Sequence, residues 1–406
     1  MSETSSDKNI SVIGFSEAEL DFIQKYKDED VTKLILKSAH FKDIDVKKLA
    51  SQILSRQKAA KKLPQWSAVK RLIFPPALSV EQSSSEATAK YKSSLISGQT
   101  LIDITGGMGV DSFYLSKNFD NVYYYEQQEE VAKTALYNFG LLNAKNITVR
   151  NQDSIASLSN VNSEVDWIYA DPARRDANRQ KVVLLSDCTP DIKFHLPTLF
   201  KHTSNILLKT SPLLDIDLAA LELKSVKEVH VIGYEHECKE LLFDINKNSN
   251  DGDFLIKAQI INAEGKVVQS LTFTRKQERD AEVIFSEPLR YLYEPHPAIL
   301  KAGAFKYLGI AFQVKKLAMH SHLYTSENLV GDFPGRIFEI TGVSKPDAKE
   351  LNSYLPDSKA NLTIRNFPAK IDDLRKKWRL KEGGNVYLFA TTLFNQKKTV
   401  VVTKKL

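Results

Sequence analysis

Thr100-Leu-Ile-Asp-Ile-Thr-Gly-Gly-Met-Gly-Val-Asp111 is the stretch whose reading decides the fold. A β-branched apolar run ends in an acid at Asp103, passes into glycines at 106, 107 and 109, and is followed by a helical pattern over 110–117. Strand, glycine turn and helix in that order bring a bare backbone to the carboxyl edge of a parallel sheet, where open α/β folds hold their ligands. A glycine turn also serves between strand and helix with no ligand present, so the sequel matters. The next strand, Asn121-Val-Tyr-Tyr-Tyr-Glu126, ends in a carboxylate at about the distance where α/β nucleotide folds place the acid that grips a ribose.

The pattern continues on both sides of that unit. Strands over 101–105, 121–125, 147–150 and 165–170 alternate with helices over 110–117 and 128–139, as right-handed βαβ units of a parallel sheet require. Asp153 follows the third strand, where it either accepts a hydrogen bond from an exocyclic adenine amine or caps the next helix. The fourth strand delivers Asp171-Pro-Ala-Arg-Arg-Asp176, an acid and a proline forming a rigid turn beside the ligand edge. Arg174 and Arg175 there either meet anions or pair with Asp176 or Asp187. Ser186-Asp-Cys-Thr-Pro-Asp191 and Asn205-Ile-Leu-Leu-Lys-Thr-Ser-Pro212 add polar groups at the same edge. Strands over 229–233 and 240–245 are expected to close the sheet as an antiparallel pair, with 258–262 and 266–274 forming a hairpin.

Residues 1–80 read as helices, beginning with a capping box at Ser16 and Glu19. Arg56-Gln-Lys-Ala-Ala-Lys-Lys-Leu-Pro-Gln-Trp66 is either a phosphate contact or a helix end with Trp66 packed beneath it. Residues 79–92 read as a polar linker helix. From about Pro288 the texture changes to a proline-broken connection, a helix over 298–308, and a small α+β module with strands over 336–341, 360–365, 385–391 and 399–403 and helices over 345–355 and 371–378.

At 406 residues, 42% apolar and 26% charged, the chain has the composition of a globular protein of two or three domains. No apolar run reaches membrane-helix length and the first residues lack a signal-peptide core, so a cytoplasmic protein without a membrane partner is expected. Its two cysteines, Cys188 and Cys238, offer neither a disulfide framework nor zinc-ligand spacing, and no metal is expected. The net charge is +6, yet residues 336–406 alone hold fifteen Lys or Arg against seven Asp or Glu, so the rest is slightly acidic. A basic excess confined to the tail is an electrostatic footprint for a polyanion. Part of it has a local cause, since 371–379 sets acids in the first helical turn and bases in the last.

Asp103 with its glycines, Glu126, Asp153 and Asp171-Pro172, in that order, resemble the motifs of class I S-adenosylmethionine-dependent methyltransferases, the likeness covering roughly residues 80–250. Thr105 stands where that family's first glycine is expected, a variant similar to some RNA guanine-N2 methyltransferases. Glu81-Gln-Ser-Ser-Ser-Glu86, Asp171-Pro-Ala-Arg-Arg175, Tyr293-Glu-Pro and Asn366-Phe-Pro-Ala are similar to a bacterial group with a helical amino-terminal region, a ferredoxin-like insert and a carboxy-terminal THUMP-like domain.

The resemblance implies an α/β, Rossmann-like doubly wound sheet over 81–285, after a helical region at 1–80. A small ferredoxin-like segment at 286–335 and a basic THUMP-like α+β domain at 336–406 would follow. It implies S-adenosyl-L-methionine as cofactor, bound by Asp103, Thr105, Gly106, Gly107 and Gly109 at its methionine part, Glu126 and Gln127 at the ribose, and Asp153 at the adenine. Asp171 and Pro172 would border the target base, with Arg174 and Arg175 beside them. The expected activity is methylation of a base nitrogen in structured RNA, tRNA or rRNA. A methyltransferase for protein or small molecules, and a non-catalytic RNA-binding protein with a retained cofactor fold, are the other readings. Carbon methylation would want a cysteine thiolate, and Cys188 reads more readily as a buried structural thiol.

Overall fold

A computed structural model of the chain describes residues 14–41, 44–158, 164–174, 184–249, 252–355 and 357–406. The chain divides into two units, one running to Lys209 with Ile245–Asn248 and Ala263–Lys266, the other holding the remainder.

The first unit opens with helices. Ser16 caps helix Glu17–Lys25 through the expected box, its hydroxyl accepting from the Glu19 amide while the Glu19 carboxylate accepts from the Ser16 amide at 2.8 Å. Phe22 and Ile23 pack on Leu34, Val46, Leu49 and Ile53. In the basic run at the end of helix Val46–Lys62, Lys58 pairs with Glu81 at 2.8 Å, while Arg56 and Lys62 turn their charges onto the chain's own carbonyls. Arg56 donates to Lys70 and Leu72, and Lys62 to Val80 and Glu81. Trp66 is fully buried, its ring edge-on to Phe113 at 5.7 Å. Here the packed alternative holds: desolvating Trp66 and capping loop carbonyls give these residues structural partners.

Strands β1 (Gly98–Asp103), β2 (Phe119–Tyr125), β3 (Ile147–Arg150) and β4 (Trp167–Ala170) follow. After a two-residue ladder of β5 (Ala173–Arg174) and β6 (Cys188–Thr189) comes β7 (Asn205–Thr210). β1 lies parallel to β2 and β4, β2 to β3, and β4 to β7, so Asp103, Glu126 and Asp171 emerge at one carboxyl edge. This α/β arrangement is the expected doubly wound class.

The second unit contains β8 (Val226–Tyr234), most of β9 (Glu237–Asn246), β10 (Leu255–Ile261) and β11 (Val267–Phe273). These strands run in the order β11-β10-β8-β9, and those of the first unit in the order β7-β4-β1-β2-β3. The sheet is therefore not closed by the β8 and β9 pair, as the sequence suggested. β10 continues it by pairing parallel to β8, and β11 returns antiparallel. The reason is burial: β8 is buried from Val229 to Gly233, and an inward strand needs ladder partners on both sides.

A second sheet joins β12 (Tyr291–Pro295), β13 (Lys315–Lys316), β14 (Tyr324–Ser326), β15 (Gly335–Ser344), β16 (Asn361–Arg365), β17 (Val386–Thr392) and β18 (Lys398–Lys405), in the order β13-β14-β12-β15-β18-β17-β16. The helix expected over 298–308 is two, Pro297–Ala302 and Tyr307–Ala311. Gly303 ends the first at φ +80°, a left-handed turn that stops a helix without a Cβ penalty.

Candidate functional site

The quoted stretch places its acid at the bottom of the turn. Asp103, 1% exposed, ends β1 and accepts from the Thr105 amide at 2.9 Å and from the Ser112 hydroxyl. Burial pushes its carboxyl up to about 7, with Asp111 and Asp171 adding to the shift and the Ser112 and Thr105 bonds opposing it. Gly109 begins helix Val110–Leu115 at φ +83°, and a Cβ there would stand 2.5 Å from the Phe139 ring. A Cβ on Gly106 would run into the Tyr124 ring. These two glycines are dictated by packing as well as by an open edge.

Thr105 occupies the place of the missing glycine, and its hydroxyl makes two bonds. It donates to Asp103 at 3.3 Å and accepts from the Asp171 backbone amide at 2.6 Å. One side chain thus ties the end of β1 to the turn after β4. Asp171 in turn pairs through its carboxylate with Lys209 on β7 at 2.6 Å.

Glu126, after β2, accepts from the Gly107 amide at 3.0 Å and the Gln128 amide at 2.8 Å. The acid thereby holds the glycine turn from the neighbouring strand. Gln127 donates to Asp153 at 3.1 Å. The other Asp153 oxygen accepts from the Ala156 amide at 3.0 Å, so this acid caps helix Ser154–Leu158 and pairs with Gln127 at once. Pro172 sits in the half-buried turn after Asp171. Backbone pairing sets Arg174 opposite Cys188, but the Arg174 side chain, Arg175 and Asp176 lie outside the described residues.

Asp187 and Asp191 serve the backbone, accepting from the amides of Leu184 and Phe194. Cys188 is buried, as a structural thiol would be.

Sequence reasoning missed a second layer of charge under this edge. Lys92, with no exposed surface, pairs with Asp111 at 3.1 Å, and Ser84 and Tyr169 donate their hydroxyls to the same carboxylate, each at 2.7 Å. Burial works against ionisation of Asp111, but Lys92, Lys209 and the two hydroxyls outweigh it and hold the carboxyl below its ordinary value. The stretch read as one polar linker helix over 79–92 is two helices, Ala77–Gln82 and Glu86–Leu95, and the second carries the buried cation that neutralises the acid beside the glycine turn. Its only signal in the sequence was Asp111 placed two residues after Gly109. Among the described side chains here, Asp111, Asp171 and Glu126, with Asp103 part-protonated near neutral pH, outnumber Lys92 and Lys209, an excess of negative charge that suits a cationic ligand. Among the described residues no cluster fits a metal ion, and no helix is long and apolar enough to cross a membrane.

Comparison with known proteins agrees with this architecture. The ferredoxin-like domain family matches residues 291–334 and the THUMP domain-like family residues 335–405. No curated protein matches the sequence. Over 96% of this chain and 99% of the other, at 33% identity and a TM-score of 0.84, the fold superposes on the crystal structure of a candidate methyltransferase from Porphyromonas gingivalis W83. A candidate methyltransferase of Streptococcus mutans, solved with SAH, aligns at 14% identity over 40% of this chain and 96% of its own, with a TM-score of 0.29. M. capricolum TrmK, solved with S-adenosyl-homocysteine, aligns at 17% identity over 40% and 69%, with a TM-score of 0.31. By fold and edge this is a protein of the class I methyltransferase type. It belongs to the family of the P. gingivalis protein, in which that fold is followed by ferredoxin-like and THUMP-like domains.

Proposed function

We propose that this chain is an S-adenosyl-L-methionine-dependent methyltransferase acting on a base nitrogen of structured RNA, tRNA or rRNA, in the cytoplasm. The observation that carries this reading is the convergence of Asp103 with its glycine turn, Glu126, the Gln127–Asp153 pair and Asp171-Pro172 at one sheet edge that is short of positive charge. A ligand bearing a sulfonium and an ammonium answers that shortage.

In this reading Asp103, Thr105 and Gly106, Gly107 and Gly109 receive the methionine part, Glu126 and Gln127 the ribose hydroxyls, and Asp153 the adenine amine. The cofactor supplies an activated methyl group for in-line displacement by a lone pair. The chain's part is alignment and exclusion of water. Asp171 accepts a hydrogen bond from the exocyclic amine and takes its proton, while Pro172 fixes the turn and Arg174 and Arg175 meet anionic groups of the substrate. In the THUMP-like domain Arg336, Arg365 and Arg375 are half-buried and paired with carboxylates, whereas the other Lys and Arg residues are exposed. That exposed set supports a phosphate backbone as partner.

Calorimetry with pure protein tests the cofactor: binding of S-adenosylmethionine in the micromolar range is expected, and no heat signal overturns the reading. Mass spectrometry of nucleosides from tRNA and rRNA of a deletion strain and its parent tests the substrate. One methylated nucleoside missing from the deletion strain, and restored by the wild-type chain but not by D171A, is the expected result.

A further inference from the structure

Two lysines in this protein are buried to a similar degree, and the fold treats them differently. Lys92 has Asp111 and Ser84. Lys316, on β13 and 3% exposed, has neither a hydrogen-bond partner for its Nζ nor an ion-pair partner among the described residues. Its backbone is fixed, donating to Ile284 at 2.8 Å and accepting from Ser286 at 3.1 Å, with Tyr324 opposite it in the ladder. The Nζ lies 6.0 Å from the Phe305 ring centre and 5.8 Å from that of Tyr324. An ammonium left with only two ring faces at that range lacks most of what it gave up in leaving water.

Both rings and Lys316 wall one cavity of about 320 Å³, a size at the lower end for small-ligand sites. Val283, Ile284, Ile310 and Val314 make the rest of its wall mainly apolar, and Ile284 and Ile310 are exposed at 66% and 49%. Three lysines, 306, 315 and 316, line it against one acid, Glu282. Glu278 lies near enough for its charge to be felt, but its carboxylate is engaged by the amides of Phe305, Lys306 and Tyr307. Burial pulls the Lys316 amine down to about 8, Glu278 opposing and Lys306 adding to the shift. Nearby His322 is pulled down to about 4 by burial and by Lys316, Arg365 and His320, so it brings no competing charge at neutral pH.

We propose that this cavity at the edge of the ferredoxin-like domain binds a small amphiphilic carboxylate, its apolar body against Ile284, Ile310, Val314 and Phe305 and its anionic head meeting Lys316 Nζ. That nitrogen has no accessible surface as it stands and turns out between the two rings to reach the head. Head and body are both required. The unpaired amine demands an anion, and Val283, Ile284, Ile310, Val314 and Phe305 give the apolar body its wall.

Octanoate is the probe and octanamide its uncharged control, titrated calorimetrically into the full chain at pH 7. One octanoate per chain is expected, bound about 10- to 100-fold more tightly than octanamide, the range of one charge-assisted hydrogen bond. Lys316→Met should abolish that preference. Because it removes an unpaired buried amine, it should leave the thermal midpoint unchanged or higher. A carboxylate favours the protonated amine, so octanoate affinity should fall up to about tenfold per pH unit above pH 8. Ile310→Trp, which crowds the mouth and leaves the amine in place, should weaken octanoate binding independently. Equal affinity for octanoate and octanamide, a K316M protein that binds octanoate like wild type, or several octanoates per chain would each overturn the proposal.

Discussion

Replacing Thr105 by valine keeps the β-branched shape and removes only the hydroxyl. The Asp171 amide, held at 2.6 Å, then loses its acceptor and Asp103 loses a donor at 3.3 Å. Leaving a buried amide unpaired costs about 1–3 kcal/mol, and the weaker second bond adds roughly 0.5 kcal/mol. For a folding unit of this size that converts to a fall of about 3–14 °C in the unfolding midpoint. Serine restores both bonds at the loss of one methyl group and should recover most of the difference. Thr105→Gly, the residue usual for the motif, should be no better than valine, because it too lacks the hydroxyl and adds backbone freedom to the unfolded chain. Differential scanning calorimetry of the three variants, followed by S-adenosylmethionine titration, makes the comparison. A T105V protein within 1 °C of wild type, set against the ~3 °C minimum, or a T105S protein as unstable as T105V, would refute the view that this hydroxyl fastens β1 to the Asp171 turn.

Asp103 binds its proton more tightly folded, with a carboxyl near 7, than unfolded, so the stability it contributes is complete below about pH 4 and is lost as the pH rises through 7. D103N should remove that component, and the difference between wild-type and D103N urea midpoints across pH 4–8 should fall along this curve; a difference that does not vary with pH contradicts it. Glu294, 5% exposed, holds both Arg336 and Arg365, so E294Q strands two guanidinium groups while R365Q removes one that is partly solvated. Chemical denaturation should show a cost of about 2–4 kcal/mol for E294Q against about 1 kcal/mol for R365Q, and the reverse order would break the argument. Neutralising the exposed Lys376, Lys377, Arg379 and Lys381 should flatten the salt dependence of tRNA binding by about one slope unit per lost phosphate contact. R56Q and K62Q, whose charges face carbonyls, should leave the slope unchanged in the same filter-binding series.

What was legible in the sequence shares a common feature: it is local. The run into Asp103, the capping box at Ser16 and the acid-to-base order of helix Ile371–Trp378 each span fewer than a dozen residues, and each stands in the structure as read. The division of helix 298–308 at Gly303 was readable in principle, since glycine favours the left-handed conformation, but a glycine inside an apolar pattern is as often tolerated. The sheet order was less accessible. Whether the β10 and β11 hairpin stands alone or extends a sheet depends on which edge lacks a partner, and periodicity carries no such information.

The site divides along the same line. Asp103, Glu126, Asp153 and Asp171 stood out as candidates because each closes or follows a strand, and the parallel sheet then brings Asp103, Glu126 and Asp171 to one edge without further specification. Their partners were not found, because Lys92, Ser84, Tyr169 and Lys209 lie on elements whose own patterns speak only of packing. A buried lysine reads in sequence like any solvated one until the acid opposite it is known. Thr105 is the instructive case: against the family pattern it is a missing glycine and hence a loss of backbone freedom. In the structure the freedom is supplied at Gly107 and Gly109, with φ of +55° and +83°, and position 105 is released to carry a hydroxyl. The departure thus exchanges a permissive residue for a bond between the acid of β1 and the turn that presents Asp171, a coupling that a glycine at 105 has no atom to make.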